Sequence, residues 1–162
     1  MAAVDYFLKL DGIDGESADS RHKGEIDVES WSWGESQAAG AAHGGGGGAG
    51  KVSMQDLQFV MKVNKASPHL MLACASGRHI NLAVLTCRKA GKDQQDFLQL
   101  RFTDLLVSFF QTAGDANADA VATDRVSLNF AKIEMEYWPR TAGGKLGDSI
   151  KVGWDLQENQ ST

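Results

Sequence analysis

Gly45 to Lys51 spells GxxxxGK, the first seven positions of a loop whose backbone N–H groups cradle nucleotide phosphates. The eighth position, where a hydroxyl would hold the metal, is Val52. The segment also leaves an alanine-rich stretch and enters an alternating one, instead of leading from a strand into a helix. Gly45, Gly47 and Gly50 satisfy GxGxxG as well, as any oligoglycine does, so neither match predicts a nucleotide site. Asp115, Asn117 and Asp119 imitate the opening of a calcium loop, but its sixth-position glycine is Ala120 and its twelfth-position glutamate is Val126. That segment reads as a polar turn between strands. His22, His43, His69 and His79 show none of the spacings that converge on zinc. Cys74 and Cys87 are too far apart for CxxC and too few for a disulfide framework. With no GxSxG elbow and no obvious acid–base pair of carboxylates, the sequence predicts no catalytic residue, no metal site and no cofactor.

The chain has 162 residues, the size of one domain, and 1–162 reads as a single unit. Sixteen Lys and Arg against twenty-one Asp and Glu give a net charge of -5 with no basic block, which argues against nucleic acid as a partner. The longest apolar stretches, Leu70 to Ala75 and Leu105 to Phe110, fall short of the ~20 residues that span a bilayer. Asp5 and Lys9 interrupt the N-terminal run where a signal peptide is apolar, so synthesis in the cytoplasm is expected.

Any surface must then be built by strands, because apolar and polar residues alternate through Tyr6 to Leu10, Ile26 to Trp33, Val52 to Met61, Leu82 to Cys87, Phe97 to Thr103, Val126 to Trp138 and Val152 to Leu156. Apolar parity slips by one between Val28 and Trp31, between Met54 and Leu57, and between Phe130 and Ile133. Inserted residues that bulge and bend a strand produce such slips. The predicted fold is all-β, an antiparallel β-barrel of two curled sheets with one short α-helix. The helix has Ser67 as N-cap, Pro68 at its first position, an apolar stripe of Leu70, Ala73 and Cys74, and Gly77 in the left-handed C-terminal turn.

Two segments point outward from that barrel. Ser36 to Gly50, with glycines 44 to 48, is too poor in side chains to join a core and reads as a long functional or interface loop. In Asp104 to Phe110, placing Leu106 and Phe110 in the core turns Leu105, Val107 and Phe109 outward, toward a second copy or toward a helix or loop of the same chain.

The chain resembles the hemolysin-coregulated protein family, Hcp, the tube component of bacterial type VI secretion systems. The resemblance is carried by Asp5 to Leu10, Gly15-Glu16-Ser17, Ile26 to Gly34, Gly44 to Lys51, Gln55-Asp56-Leu57, Ser67-Pro68, Cys74 to Gly77, Arg88 to Gly91, Leu128 to Ala131 and Val152-Gly153-Trp154, in that order. It implies a non-enzymatic homohexameric ring that stacks into a tube. Its implied partners are the spike protein, the sheath and the effectors it carries and is secreted with, by the type VI route and without a signal peptide. On this resemblance Ser32 is expected to face the channel and contact effectors. Gly44, Gly45, Gly46, Gly47 and Gly48, together with the Asp115 to Asp124 turn, are expected to reach a neighbouring ring or subunit, and Leu105, Val107 and Phe109 to make ring or stacking contacts. The alternative is a monomeric β-barrel with a small ligand in its interior.

Overall fold

The computed structural model describes residues 3–38, 51–91, 94–119 and 121–162. Eleven strands and one helix follow one another: β1 (Val4–Leu10), β2 (Ile26–Val28), β3 (Ser30–Ser32), β4 (Glu35–Ser36), β5 (Ser53–Met54), β6 (Leu57–Lys62), α1 (Ala66–Ser76), β7 (Ile80–Lys89), β8 (Asp96–Ala113), β9 (Thr123–Tyr137), β10 (Ile150–Asp155) and β11 (Gln160–Ser161). All pairings are antiparallel. Nine strands form one sheet, with the path β11-β10-β9-β8-β7-β1-β2 and a branch in which β6 pairs with β9 and β3; β4 and β5 make a separate ribbon. The closed barrel of two curled sheets is not drawn by these pairings, because β2 and β6 share no ladder. Instead, residues 26–32 change partner at Glu29, whose N–H donates to the Val60 carbonyl, so their first part lies on β1 and their second on β6.

The parity slips mark where the sheet turns. The one after Val28 falls at this change of partner, and the one after Met54 falls at the break between β5 and β6. The third has a different origin from an inserted residue. β8 and β9 stay in register from Leu98–Tyr137 to Val107–Leu128, and both switch the parity of their buried residues together, from Phe102 to Leu105 and from Ile133 to Phe130. Between those rungs Asp104 adopts φ 52, a left-handed conformation that L-residues other than Asn and Asp rarely accept. The β8–β9 bulge itself comes later, at Ser108.

Leu8, Ile26, Leu57, Phe59, Leu85, Leu100, Phe102 and Leu128 are fully buried in one core, to which the helix adds Leu70 and Ala73. Ala, Leu and Met favour the helix, and Gly77 ends it at φ 66 with its N–H on the Ala73 carbonyl. Its start differs from expectation. Ser67 lies inside the helix and donates its hydroxyl to Asp124 Oδ2 at 2.5 Å, while the Asn64 carboxamide oxygen accepts from the Ala66 N–H at 2.8 Å. Asp124 belongs to β9 and is completely buried, so the projecting turn ends before it. Glycines 44 to 48 lie outside the described residues; β4 and β5 form the stem that leads to them.

Candidate assembly surfaces

One part of the sheet is four strands wide: β3, β6, the first half of β9 and the end of β8. Trp31, Phe59, Val126 and Phe110 form one cross-strand row, and all four pack into the core. The rows on either side point outward, because side chains alternate across a sheet. One holds Ser32, Gln58, Ser127 and Phe109; the other holds Ser30, Val60, Arg125 and Gln111. Of these eight, Ser30, Ser32, Gln58, Phe109, Gln111 and Arg125 are exposed, Val60 is half-buried, and Ser127, beside the bulge, is buried. The face is therefore polar with one aromatic at its margin. Neither flank of the four-stranded unit has a further ladder among the described residues: β3 pairs with β6 alone, and β8 beyond Leu105 pairs with β9 alone.

Asp56 fixes the bulge that makes this row possible. Its carboxylate accepts the Ser108 hydroxyl at 2.6 Å and the Asn129 amide at 2.8 Å, so the extra residue in β8 is held in place. Ser32 lies on the exposed face, at its β3 margin. Leu105 and Val107 were expected to turn out of the core, toward a second copy or toward a helix or loop of the same chain; they are 1% and 2% exposed, within the chain's own core, which corrects their placement as ring or stacking contacts. The left-handed Asp104 brings them in, and the Ser108 bulge then lets Phe110 point inward and leaves Phe109 44% exposed on the other side. Sequence reasoning missed Gln58 and Arg125, whose signal was the polar parity of β6 and early β9 opposite Ser32.

A second surface is apolar. Beside the β4–β5 stem, Trp33, Met54, Met135, Val152 and Trp154 line a groove of about 600 Å³. The indole N–H groups of Trp33 and Trp154 are buried there with no partner among the described residues. The adjoining Tyr137, Ile150 and Val152 are exposed, so the apolar face of the sheet continues past the cover that the described residues provide.

The other side of β1 is sealed by residues 14–25. Arg88 is 2% exposed; its Nη2 donates to Asp19 at 2.7 Å and Asp5 at 3.2 Å, and its guanidinium lies 4.7 Å from the centre of the Phe7 ring. Phe7 stacks on His22 at 4.3 Å, and the His22 ring nitrogens lie 3.0 Å from Glu25 and 3.4 Å from Asp96. The hydrogen bond from Arg88 holds the Asp19 carboxyl well below the usual carboxylate range, and both acids raise the arginine's own value. Burial pushes the Cys87 thiol up to about 12. Among the described residues no three His, Cys, Asp or Glu side chains are placed to hold a metal, and no helix is long and apolar enough to cross a membrane. Asp115 instead caps its own turn, accepting the Asn117 N–H at 2.9 Å.

These are the candidate contact surfaces of the chain, and comparison with known proteins gives its family. Residues 7–137 match the family model described as "Type VI secretion system effector, Hcp". The chain belongs to the Hcp family. It is 48% identical over 159 residues to protein hcp1 of Pseudomonas aeruginosa, covering 97% of this chain and 98% of that one. It superposes on the crystal structure of Hcp1 from Salmonella typhimurium with a TM-score of 0.82 at 36% identity, covering 99% and 100% of the two chains. A structure described as a type six secretion system protein gives a TM-score of 0.91 at 29% identity, with the same coverage. The mostly-β Hcp fold with its single short helix, and the place of this chain in type VI secretion, follow.

Proposed function

We propose that this Hcp chain is a non-enzymatic tube subunit. Six copies form a ring, rings stack into a tube, and the tube carries effectors and leaves the cytoplasm with them by the type VI route without a signal peptide. The spike protein and the sheath are its other partners. The observation that carries this reading is the four-stranded unit with a polar face and two flanks that have no further strand among the described residues. An unpaired strand edge is a template for another strand, and soluble proteins cover or pair such edges. Joining the β3 flank of one copy to the β8 flank of the next repeats a head-to-tail contact, which closes into a ring when the rotation allows. The exposed row with Ser32, Gln58 and Arg125 would then line the channel, and each curled subunit would be completed as a barrel in the ring wall. The apolar overhang at Ile150 and Val152 gives a neighbouring copy further area to cover.

The ligand-binding monomer has less support, since the interior positions are filled by side chains such as Phe59, Phe102 and Leu128. The reading is tested by native mass and by electron microscopy of the purified chain. Rings with a central channel support it; a chain that remains single contradicts it. For the channel face, Ser32→Gln should lower the level and delivery of an effector while leaving rings intact, and unchanged effector levels would remove Ser32 from the contact. Shortening glycines 44 to 48 should impair tube growth before folding; loss of folded protein would place their role inside the subunit.

A further inference from the structure

Beside residues 17–19, the sealed side of β1 opens into a cavity of about 550 Å³ lined by Arg88 and by the four acids Asp5, Asp19, Asp27 and Glu29. Four carboxylates and one guanidinium line the same space. Asp5 and Asp19 share Arg88, while Asp27 and Glu29 have no ion-pair partner among the described residues. Burial and the neighbouring charges of Asp5 and Asp19 raise the Asp27 carboxyl above its ordinary value. Arg88 Nε and Nη1 are buried and have no acceptor among the described residues. Unmatched negative charge at the rim fits a ligand that brings cations. The acids are not grouped to hold a metal ion, which favours a peptide segment with basic side chains.

This chain carries such a segment. Between β9 and β10, Arg140 and Lys145 are exposed on a turn held by the Thr141 N–H on the Lys145 carbonyl at 2.8 Å and the Gly147 N–H on the Pro139 carbonyl at 2.6 Å. Neither cation has a carboxylate partner among the described residues, and Asp148 is the one acid between Tyr137 and Ile150. Pocket and turn lie at the same end of the strands. Asp5 pairs with Arg88, Arg88 with Asp96, and beside Asp96 the Phe97 carbonyl accepts from Trp138, which leads into the turn. They also lie on opposite flanks: in the order β10-β9-β8-β7-β1-β2 the turn leaves from β9 and β10, and the pocket sits on β1 and β2. With β8 and β7 between them at ~4.8 Å per strand, the turn is poorly placed for its own pocket and well placed for a neighbour's.

We infer that the Arg140 to Lys145 turn of one protomer seats in the Asp27 and Glu29 pocket of the next, an acid–base contact repeated around the ring. The inference rests on the ring reading above and names one of the ring's contacts. Two charge-reversal chains test it: Arg140→Glu with Lys145→Glu, and Asp27→Lys with Glu29→Lys. All four positions are exposed, so each chain should fold, as circular dichroism would check. By native mass spectrometry each variant alone should assemble with a dissociation constant raised about tenfold or more, because like charges then meet at every contact. Mixed in equal amounts they should recover rings holding both chains in equal number, since each reversed turn finds a reversed pocket. Variants that assemble as the wild type does, or a mixture that recovers nothing, would overturn the contact while leaving a wild-type ring standing. A wild type that stays a single chain would instead overturn the ring reading. As an independent check, oxidation of an Ala142→Cys, Glu29→Cys chain should link neighbouring protomers, and an absence of links counts against the contact.

Discussion

The Asp19–Arg88 pair makes the fold sensitive to acid in a defined direction. Because Asp19 has a folded value below its ordinary 3.8, its contribution is fully present above about that pH and is lost as pH falls through the lower folded value. Asp19→Asn should therefore cost about 1 to 3 kcal/mol at pH 7, as expected for a hydrogen bond to a charged and buried guanidinium. Denaturant titration should find this difference shrinking as pH drops below 4, and a difference that grows there contradicts the assignment. The two thiols behave differently for a related reason. Cys87 is buried with its value pushed up to about 12, whereas Cys74 is half-buried. A thiol reagent at pH 8 should modify Cys74 in the folded protein and reach Cys87 after unfolding; simultaneous reaction of both would show that β7 opens.

At the scale of elements, Gly15 shows why a short motif carries so much of the resemblance. A Cβ there would stand 2.5 Å from the Glu25 carbonyl oxygen and 2.6 Å from Ile26 Cα, both backbone atoms with little room to retreat. Gly15→Ala should cost about 1 to 3 kcal/mol and loosen residues 14–25, read as a lower thermal midpoint with faster hydrogen exchange at Gly24 and Ser17, whose N–H groups are bonded within that loop. Asp104→Gly should be neutral or stabilising by up to about 1 kcal/mol, and Asp104→Val destabilising, because a β-branched residue resists φ 52.

The same corner explains what the sequence could and could not disclose. Alternation announced the strands, and Pro68 with Gly77 announced the helix, because those signals are local. Ser67 is of a type that caps helices, and what places it inside the helix instead is Asp124, distant in sequence, which takes the serine hydroxyl. The sidedness of Leu105 and Val107 was hidden likewise: a left-handed aspartate and a bulge held by Asp56 lie on either side of them, and neither leaves a mark in hydrophobic periodicity. Ser32 could be placed on an exposed face from its neighbours' parity, but the row it shares with Gln58 and Phe109 needs the register of four strands.

For the whole molecule, the parts converge on a chain whose contacts are incomplete in isolation. Among the described residues two strand flanks have no further ladder, two indole N–H groups are unmet beside an apolar groove, and an acidic pocket and a basic turn lie at the same end on opposite flanks. Each is an asymmetric half of a contact, so repetition of the chain is what would satisfy them. Native mass of the purified chain in dilute solution is the most direct measurement. The account predicts a closed species of six times the 17.4 kDa chain mass, persisting on dilution into the low micromolar range. A single species of 17.4 kDa at every concentration would contradict it.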